Sequence, residues 1–358
     1  MSAPRLRWGA KGLGALAILF ALFVIVGEGV ARLAHPCGAG DALFHPLLSA
    51  PDGLFVDDPH LLRWPTPRLR ATVAAPGCVI DLRFDDRSAR GQSNPDARWL
   101  ALGDERTMAI TVDEPQTWTA QLAAHLETPI INAGVHGDST WQALGRYQRY
   151  VGVIDLEQVI VMLHVGTDLI DNSRFHRQLQ VHQAMAGAEE DAEFSPFERQ
   201  LFHKSALYAW WNLAYPWRGL GPTGERWRAE LLTFHRGFDD TRILPQTRDA
   251  LRRLRDATAH NHDELLVAVL PHVLEVLPEH LDASLKGTSI RPEDIQLERP
   301  RTQTLRLLDE LGVVTCDLTA ALKGAREGGG DVVNPRIRQL TPEGHRVVSE
   351  QVRHCLGR

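Results

Sequence analysis

The 358-residue sequence predicts an α/β fold, a parallel sheet with helices packed on both faces. Short, continuously apolar runs such as Trp99-Leu100-Ala101-Leu102 and "QVIVMLH" (158–164) read as strands buried on both sides, because a strand with one wet face would alternate. Amphipathic segments with helical spacing follow them, among them "TWTAQLAAHLE" and "DSTWQALGRYQRYVG". The runs end in turn-forming or polar residues: Gly103-Asp104, Ala133-Gly134 and Gly166-Thr167-Asp168. In open parallel sheets that carboxyl edge is where ligands bind.

At the N-terminus, Arg5, Arg7 and Lys11 precede an uncharged run from Gly12 to Val26. A full span needs about 20 apolar residues. Continuing through Gly27, Glu28 and Val30 to Leu33 reaches that length, with Lys11 snorkelling at one end. Residues 1–35 are therefore expected to form a signal-anchor helix, with the basic end in the cytoplasm and the body in the periplasm of a bacterium. A cleaved signal peptide, giving a secreted protein, is the alternative; its best small-x-small site, Gly29-Val30-Ala31, lies beside Glu28. Four cysteines agree with export, and Cys37–Cys78 and Cys316–Cys355 are the expected disulfides because each pair stays within one region. Four buried free thiols are the alternative.

Residues 36–98, rich in Pro, Gly and Asp, are expected to be a small β-containing lead-in. The strand–helix alternation then runs over 99–358, interrupted by an insertion from Asn172 to Arg242 in which Trp210, Trp211, Trp217 and Trp227 are crowded. A helical cap over the sheet edge is the expectation there; a lid, a membrane-facing patch or a protein-partner surface are the alternatives. "RTQTLRLLDELG", "VVTCDLT" and "TPEGHRVVSEQVRHCL" supply a further helix, a strand and the final helix. A net charge of -6 gives no footprint for nucleic acid. Zinc-type Cys/His spacing, a Walker loop and a dinucleotide fingerprint are missing from the sequence, and no cofactor or metal is expected.

The strand-end motifs "LALGDERTMAITVDEPQTW", "INAGVHGDST", "MLHVGTDLIDN" and "RIRQLTPEGHRVVSE" resemble, in that order, the SGNH (GDSL) hydrolase superfamily of esterases and acyltransferases. The resemblance covers Trp99 to Leu356 and is closest to membrane-anchored bacterial members. It implies a three-layer α/β/α, flavodoxin-like sheet. It also implies that the nucleophilic serine falls on Glu105, the oxyanion-hole glycine on Gly134, the oxyanion-hole asparagine on Thr167, the orienting aspartate on Arg336 and the catalytic histidine on Gln339. Gly134 alone keeps its type.

That set does not support acyl transfer, which needs an activated nucleophile, a base and donors for the tetrahedral oxygen. Glu105 would repel a developing anion, and Gln339 has no titratable nitrogen. Glu105 is expected to reach Arg336 or Arg338 with Gln339 bridging, or to occupy its own anion hole at the N–H of Gly134; drift of these positions to solvated polar residues is the alternative. Asp104, Glu105, Gly134, His136, Thr167, Asp168 and Gln339 are the candidate cleft residues. Ser139 is expected to cap the helix that follows it. His136, with Asp138 and Ser139 beside it, is the most interesting remaining titratable group for a rebuilt site, with His164 near the third strand end; His345 is expected to bond within the fold.

The expected function is therefore a membrane-anchored, non-catalytic protein that binds an acylated glycan or lipid, or a protein partner, in the envelope. An active esterase or O-acyltransferase with a rebuilt site is the alternative.

Overall fold

The computed structural model describes residues 10–34, 53–75, 78–184, 197, 204–205, 207–208, 229–238, 240–286, 288–335 and 338–357. Helix α1 spans Ala10–Ala34. The lead-in holds two antiparallel hairpins, β1 (Phe55–Asp58) with β2 (Leu62–Pro65), and β3 (Arg70–Ala75) with β4 (Cys78–Arg83). Asp58 closes the first turn by accepting the N–H groups of His60 and Leu61 at 2.9 and 2.8 Å.

The central sheet has five parallel strands: β5 (Trp99–Leu102), β6 (Ile130–Asn132), β7 (Gln158–His164), β8 (Glu264–Leu270) and β9 (Val314–Asp317). Their order is β6-β5-β7-β8-β9, the 2-1-3-4-5 arrangement of flavodoxin-like sheets. Strand periodicity sorts the core into two layers. Leu100, Leu102, Val159, Val161, Val267 and Val269 face α3 (Thr140–Val151), α5 (Leu244–His260) and α6 (Arg299–Glu310). Trp99, Ala101, Ile160, Met162, Leu266 and Ala268 face α2 (Trp118–Leu126), α7 (Thr319–Glu327) and α8 (Pro342–Cys355). Both faces are covered, as continuously apolar strands require. The switch point of this topology lies between β5 and β7, so the turns after Leu102 and His164 open onto one crevice.

Helix α4 (Asp168–Ala184) begins at the end of the loop after β7. Asn172, the expected start of the insertion, is instead a buried pin: its Nδ2 donates to Thr140 Oγ1 and Thr247 Oγ1, both at 3.1 Å, joining α3, α4 and α5. The chain thus stays in the domain past residue 172. The four tryptophans of the insertion lie outside the described residues, as does Arg336. Along α1, Ile18, Leu19, Phe20, Leu22, Phe23, Ile25 and Val26 are exposed. Among the described residues, no helix is long and apolar enough to cross a membrane.

Cys316 on β9 and Cys355 at the end of α8 form a disulfide, as expected, with Cα atoms 5.7 Å apart; the expected Cys37–Cys78 pair lies outside the described side chains. The Cys316–Cys355 bridge closes a loop of sequence separation 39. Loop-closure entropy assigns such a bridge about 4 kcal/mol. Cys316→Ala/Cys355→Ala is expected to lose a stabilisation of that order in a denaturant titration; an unchanged midpoint would show that the bridge contributes nothing.

Candidate functional site

The turn after β5 has a conformation only glycine suits. Gly103 has φ +148°, and a Cβ there would lie 2.5 Å from Thr107 Oγ1 and 2.9 Å from the carbonyl oxygen of Met162. Asp104 then caps a single helical turn, Glu105–Met108, its Oδ1 accepting the N–H of Arg106 at 2.9 Å. Arg90, wholly buried, donates to the carbonyls of Met108 and Val112, each at 2.6 Å, and to that of Ala109. This fixes the chain leaving the turn.

Gly134 after β6 lies against the same turn, where a Cβ would meet the nitrogen of Met108 at 2.4 Å. Its N–H does not face an open hole or Glu105. It donates to Asn132 Oδ1 at 3.1 Å, and Asn132 Nδ2 donates to the carbonyl of Thr107 at 2.8 Å.

Of the two arginines expected at Glu105, Arg336 lies outside the described residues, and the described contacts of Glu105 include a nearer cation. Arg106 Nη1 binds Asp104 Oδ2 and, at 2.9 Å, Glu105 Oε1. The three side chains are 5%, 1% and 7% exposed, so Glu105 has not drifted to a solvated polar residue. Glu105 Oε2 accepts the N–H of Gly137, not that of Gly134, at 3.1 Å, and His136 Nδ1 stands 3.6 Å away. Arg338 turns to Glu230 at 2.8 Å; its backbone carbonyl accepts a long bond of 3.5 Å from Arg106 Nη2. Arg338 has φ +57°, a left-handed conformation costly for a side chain with a Cβ. Gln339 is buried on the two-residue strand β11 (Gln339–Leu340), in register with Asn334 of β10 (Val333–Asn334), and the helical turn Glu105–Met108 packs against it.

Thr167 Oγ1 lies 3.4 Å from Asp104 Oδ2 and 2.8 Å from His164 Nδ1, while Asp168 Oδ2 accepts the N–H of His164 at 3.0 Å. His164 stacks on His272 with ring centroids 5.9 Å apart, and His272 Nε2 approaches Glu230 Oε2 at 3.6 Å. Four of the candidate cleft residues, Asp104, Glu105, Thr167 and Asp168, with His136 at the edge, thus share one buried cluster. Arg106, Glu230 and His272 were not foreseen. Arg106 was visible as a cation next to two acids at a strand end, whereas Glu230 and His272 carry no local signal.

The rebuilt-site candidates are used otherwise. Ser139 starts α3 in a capping box with Gln142, whose Oε1 accepts its N–H at 2.9 Å. Asp138 forms a buried pair with Arg146, whose Cζ lies 4.7 Å over the Trp64 ring of the lead-in. His136 is buried. His345 bonds within the fold as expected, its Nδ1 accepting the N–H of Trp118 at 3.3 Å.

Burial governs the electrostatics. It lifts the Asp104 carboxyl to about 6 against the pull of Arg106. Asp168 rises well above the carboxylate range through burial, with Asp104 and Asp171 adding repulsion. Burial opposes the charge on Arg106, yet Asp104, Glu105 and Glu230 hold its basicity above the ordinary value. His164 falls well below the usual range through burial, Arg106 and His272; His272 falls through burial despite Glu230. The chemistry available is that of a closed, charge-compensated knot with neutral imidazoles. Among the described residues, no group of three or more His, Cys, Asp or Glu side chains could hold a metal ion. Surface hollows of about 470 and 400 Å³ lie elsewhere, around Gln296–Arg306 and Glu114–His125.

Solved structures similar to the chain include a putative lipolytic protein of the G-D-S-L family from Desulfitobacterium hafniense DCB-2 (12% identity, TM-score 0.40, covering 72% of this chain and 97% of that one). Another is an acetylxylan esterase from Geobacillus stearothermophilus (10% identity, TM-score 0.39, covering 74% and 97%). An α/β hydrolase from the metagenome of Lake Arreo, Spain, gives 13% identity and a TM-score of 0.40, covering 74% and 97%. No family model and no curated protein matches the chain. The site reading rests on the strand order and side-chain geometry of this chain.

The buried histidines set a pH test. Burial, with Arg90 nearby, lowers His345 to about 3. Unfolding lets it regain its ordinary value near 6.5, so its contribution is complete above 6.5 and drains away as pH falls toward 3. Between pH 7 and 5 the wild type should lose about 2 kcal/mol relative to His345→Gln in denaturant titrations. Parallel pH profiles for the two proteins would contradict the burial assignment.

Proposed function

We propose that the chain is a non-catalytic protein of SGNH hydrolase-like type, seated in the bacterial inner membrane by α1, whose α/β body binds an envelope ligand or partner in the periplasm. The observation that carries this reading is the Asp104–Arg106–Glu105 knot at the nucleophile position. An acyl group entering there would have to displace a buried guanidinium from two carboxylates. Breaking such a pair costs about 3–5 kcal/mol before any chemistry begins. The glycine N–H that would steady a tetrahedral oxygen is spent on Asn132, and Gln339 cannot relay a proton.

The exposed apolar side chains of α1, preceded by Arg5, Arg7 and Lys11, support the membrane seat and its orientation. By the resemblance, acylated glycans or lipids are the ligand class, and the Trp-rich insertion is the segment proposed to meet a protein partner. One contact favours a second reading, an esterase or O-acyltransferase on such esters: Thr167 Oγ1 beside His164 Nδ1 is a hydroxyl–imidazole pair. Thr167 is, however, only 2% exposed beneath Asp104.

Full-length protein in detergent is expected to show no turnover of p-nitrophenyl acetate above buffer and no labelling by a fluorophosphonate probe. Glu105→Ser/Gln339→His should remain inert, because Arg106 and Asn132 still hold their partners. Turnover that disappears in Thr167→Val would overturn this reading in favour of the second.

A further inference from the structure

Hairpin β1–β2 grips α3 through two ion pairs and one ring. Arg149 gives Asp58 both arms, Nη1 to Oδ2 at 2.6 Å and Nη2 to Oδ1 at 2.9 Å. Arg149 Cζ lies 4.7 Å from the centre of the Trp64 ring, as does Arg146 Cζ. Arg146 in turn pairs with Asp138, and its Nη2 donates to Asp138 Oδ1 at 3.1 Å and to the carbonyl of Arg63 at 3.0 Å. Next to Asp138 is Gly137, whose N–H holds Glu105 Oε2. A continuous path thus runs from the hairpin to the knot.

Shape fixes the same docking. Gly145 on α3 leaves room for Leu61, since a Cβ there would stand 2.5 Å from Leu61 Cδ2. Gln142, whose amide oxygen accepts the Ser139 N–H, donates through Nε2 to the carbonyl of Leu61 at 3.2 Å. The two ends of the path differ in wetness. The side chains of Arg146 and Asp138 are each 1% exposed, whereas Arg149 is 39% exposed. A wet pair contributes little and opens easily, while a dry pair resists because a stranded charge is costly. The hairpin therefore yields first at Asp58–Arg149, and the inner pair follows only when Trp64 leaves.

We propose that hairpin β1–β2 is a strap on the site: docked, it holds the His136–Gly137 loop on Glu105, and undocked, it lets that loop open. The inference rests on the reading that the body takes its ligand in this crevice. Trp64 and Arg146 are then positioning residues, acting on Glu105 through Asp138 and Gly137. A ligand whose entry moves Gly137 off Glu105 binds better once the strap is loose, and by linkage its binding loosens the strap.

The test is amide hydrogen exchange on the full-length protein in detergent, read at Gly137, at Leu61 in the hairpin turn and at Val161 in β7. Trp64→Leu keeps apolar bulk beside Tyr150 and removes the ring that both arginines share. It should speed exchange at Leu61 and Gly137 by about tenfold or more and leave Val161 unchanged. In an Asp138→Asn background, which cuts the path at its inner end, Trp64→Leu should still speed Leu61 but add little at Gly137. Speeding at Leu61 alone, or full additivity of the two substitutions at Gly137, overturns the strap and leaves the proposed binding function standing, which the esterase assay decides independently. Equal speeding at Val161 overturns it too, since the hairpin would then open only with the whole domain. Should Trp64→Leu fail to fold, Trp64→Phe, with its smaller ring, makes the same comparisons with smaller increments.

Discussion

Two adjacent carboxylates at the end of a buried strand need a cation, and in this chain the next residue supplies it. Arg106 between Asp104 and Glu105 is the contact on which the rest of the site depends. Without it, the low-dielectric edge of the sheet would hold two adjacent acids that had lost their shared guanidinium, beside Asp168, itself raised by burial and by Asp104. With it, the turn can stay dry, Thr167 can lie against Asp104, and the loop carrying Gly134 can close on the nitrogen of Met108.

The knot also links elements distant in sequence. Arg106 leans on the carbonyl of Arg338, Arg338 reaches Glu230, and Glu230 approaches His272 at the end of β8. The segment returning from the insertion is thus joined to the strand ends through charged contacts. Backbone strain collects there too, in the left-handed conformations of Ala109 and Arg338. Such strain persists where the surroundings over-determine it, here through Arg90 on one loop and Glu230 on the other.

Much of the scaffold was legible in the residues. Alternate side chains of Trp99-Leu100-Ala101-Leu102 go to opposite, equally apolar layers, so a continuous apolar run meant a doubly covered strand. Ser139, His345 and the Cys316–Cys355 pair also took the places expected of them. The wiring of the charges was not legible. Family position pointed Glu105 at the arginines of the last motif, of which Arg336 lies outside the described residues, and gave no hint of the ion pair with its own neighbour Arg106. Glu230 and His272 come from segments with no motif, brought in by tertiary packing alone. Nothing local shows the approach of Glu105 Oε2 to His136 Nδ1 either.

The most direct measurement is a double-mutant cycle in denaturant titrations, combining Arg106→Met with Asp104→Asn, which keeps the helix cap. Arg106→Met alone should destabilise by about 3–5 kcal/mol, because it strands buried acids. Adding Asp104→Asn should recover a substantial part, giving a coupling of about 2 kcal/mol, within the range for contacting charged residues. Additivity within about 0.5 kcal/mol would mean that the guanidinium and the carboxylate do not depend on each other, and the closed-site account would fail.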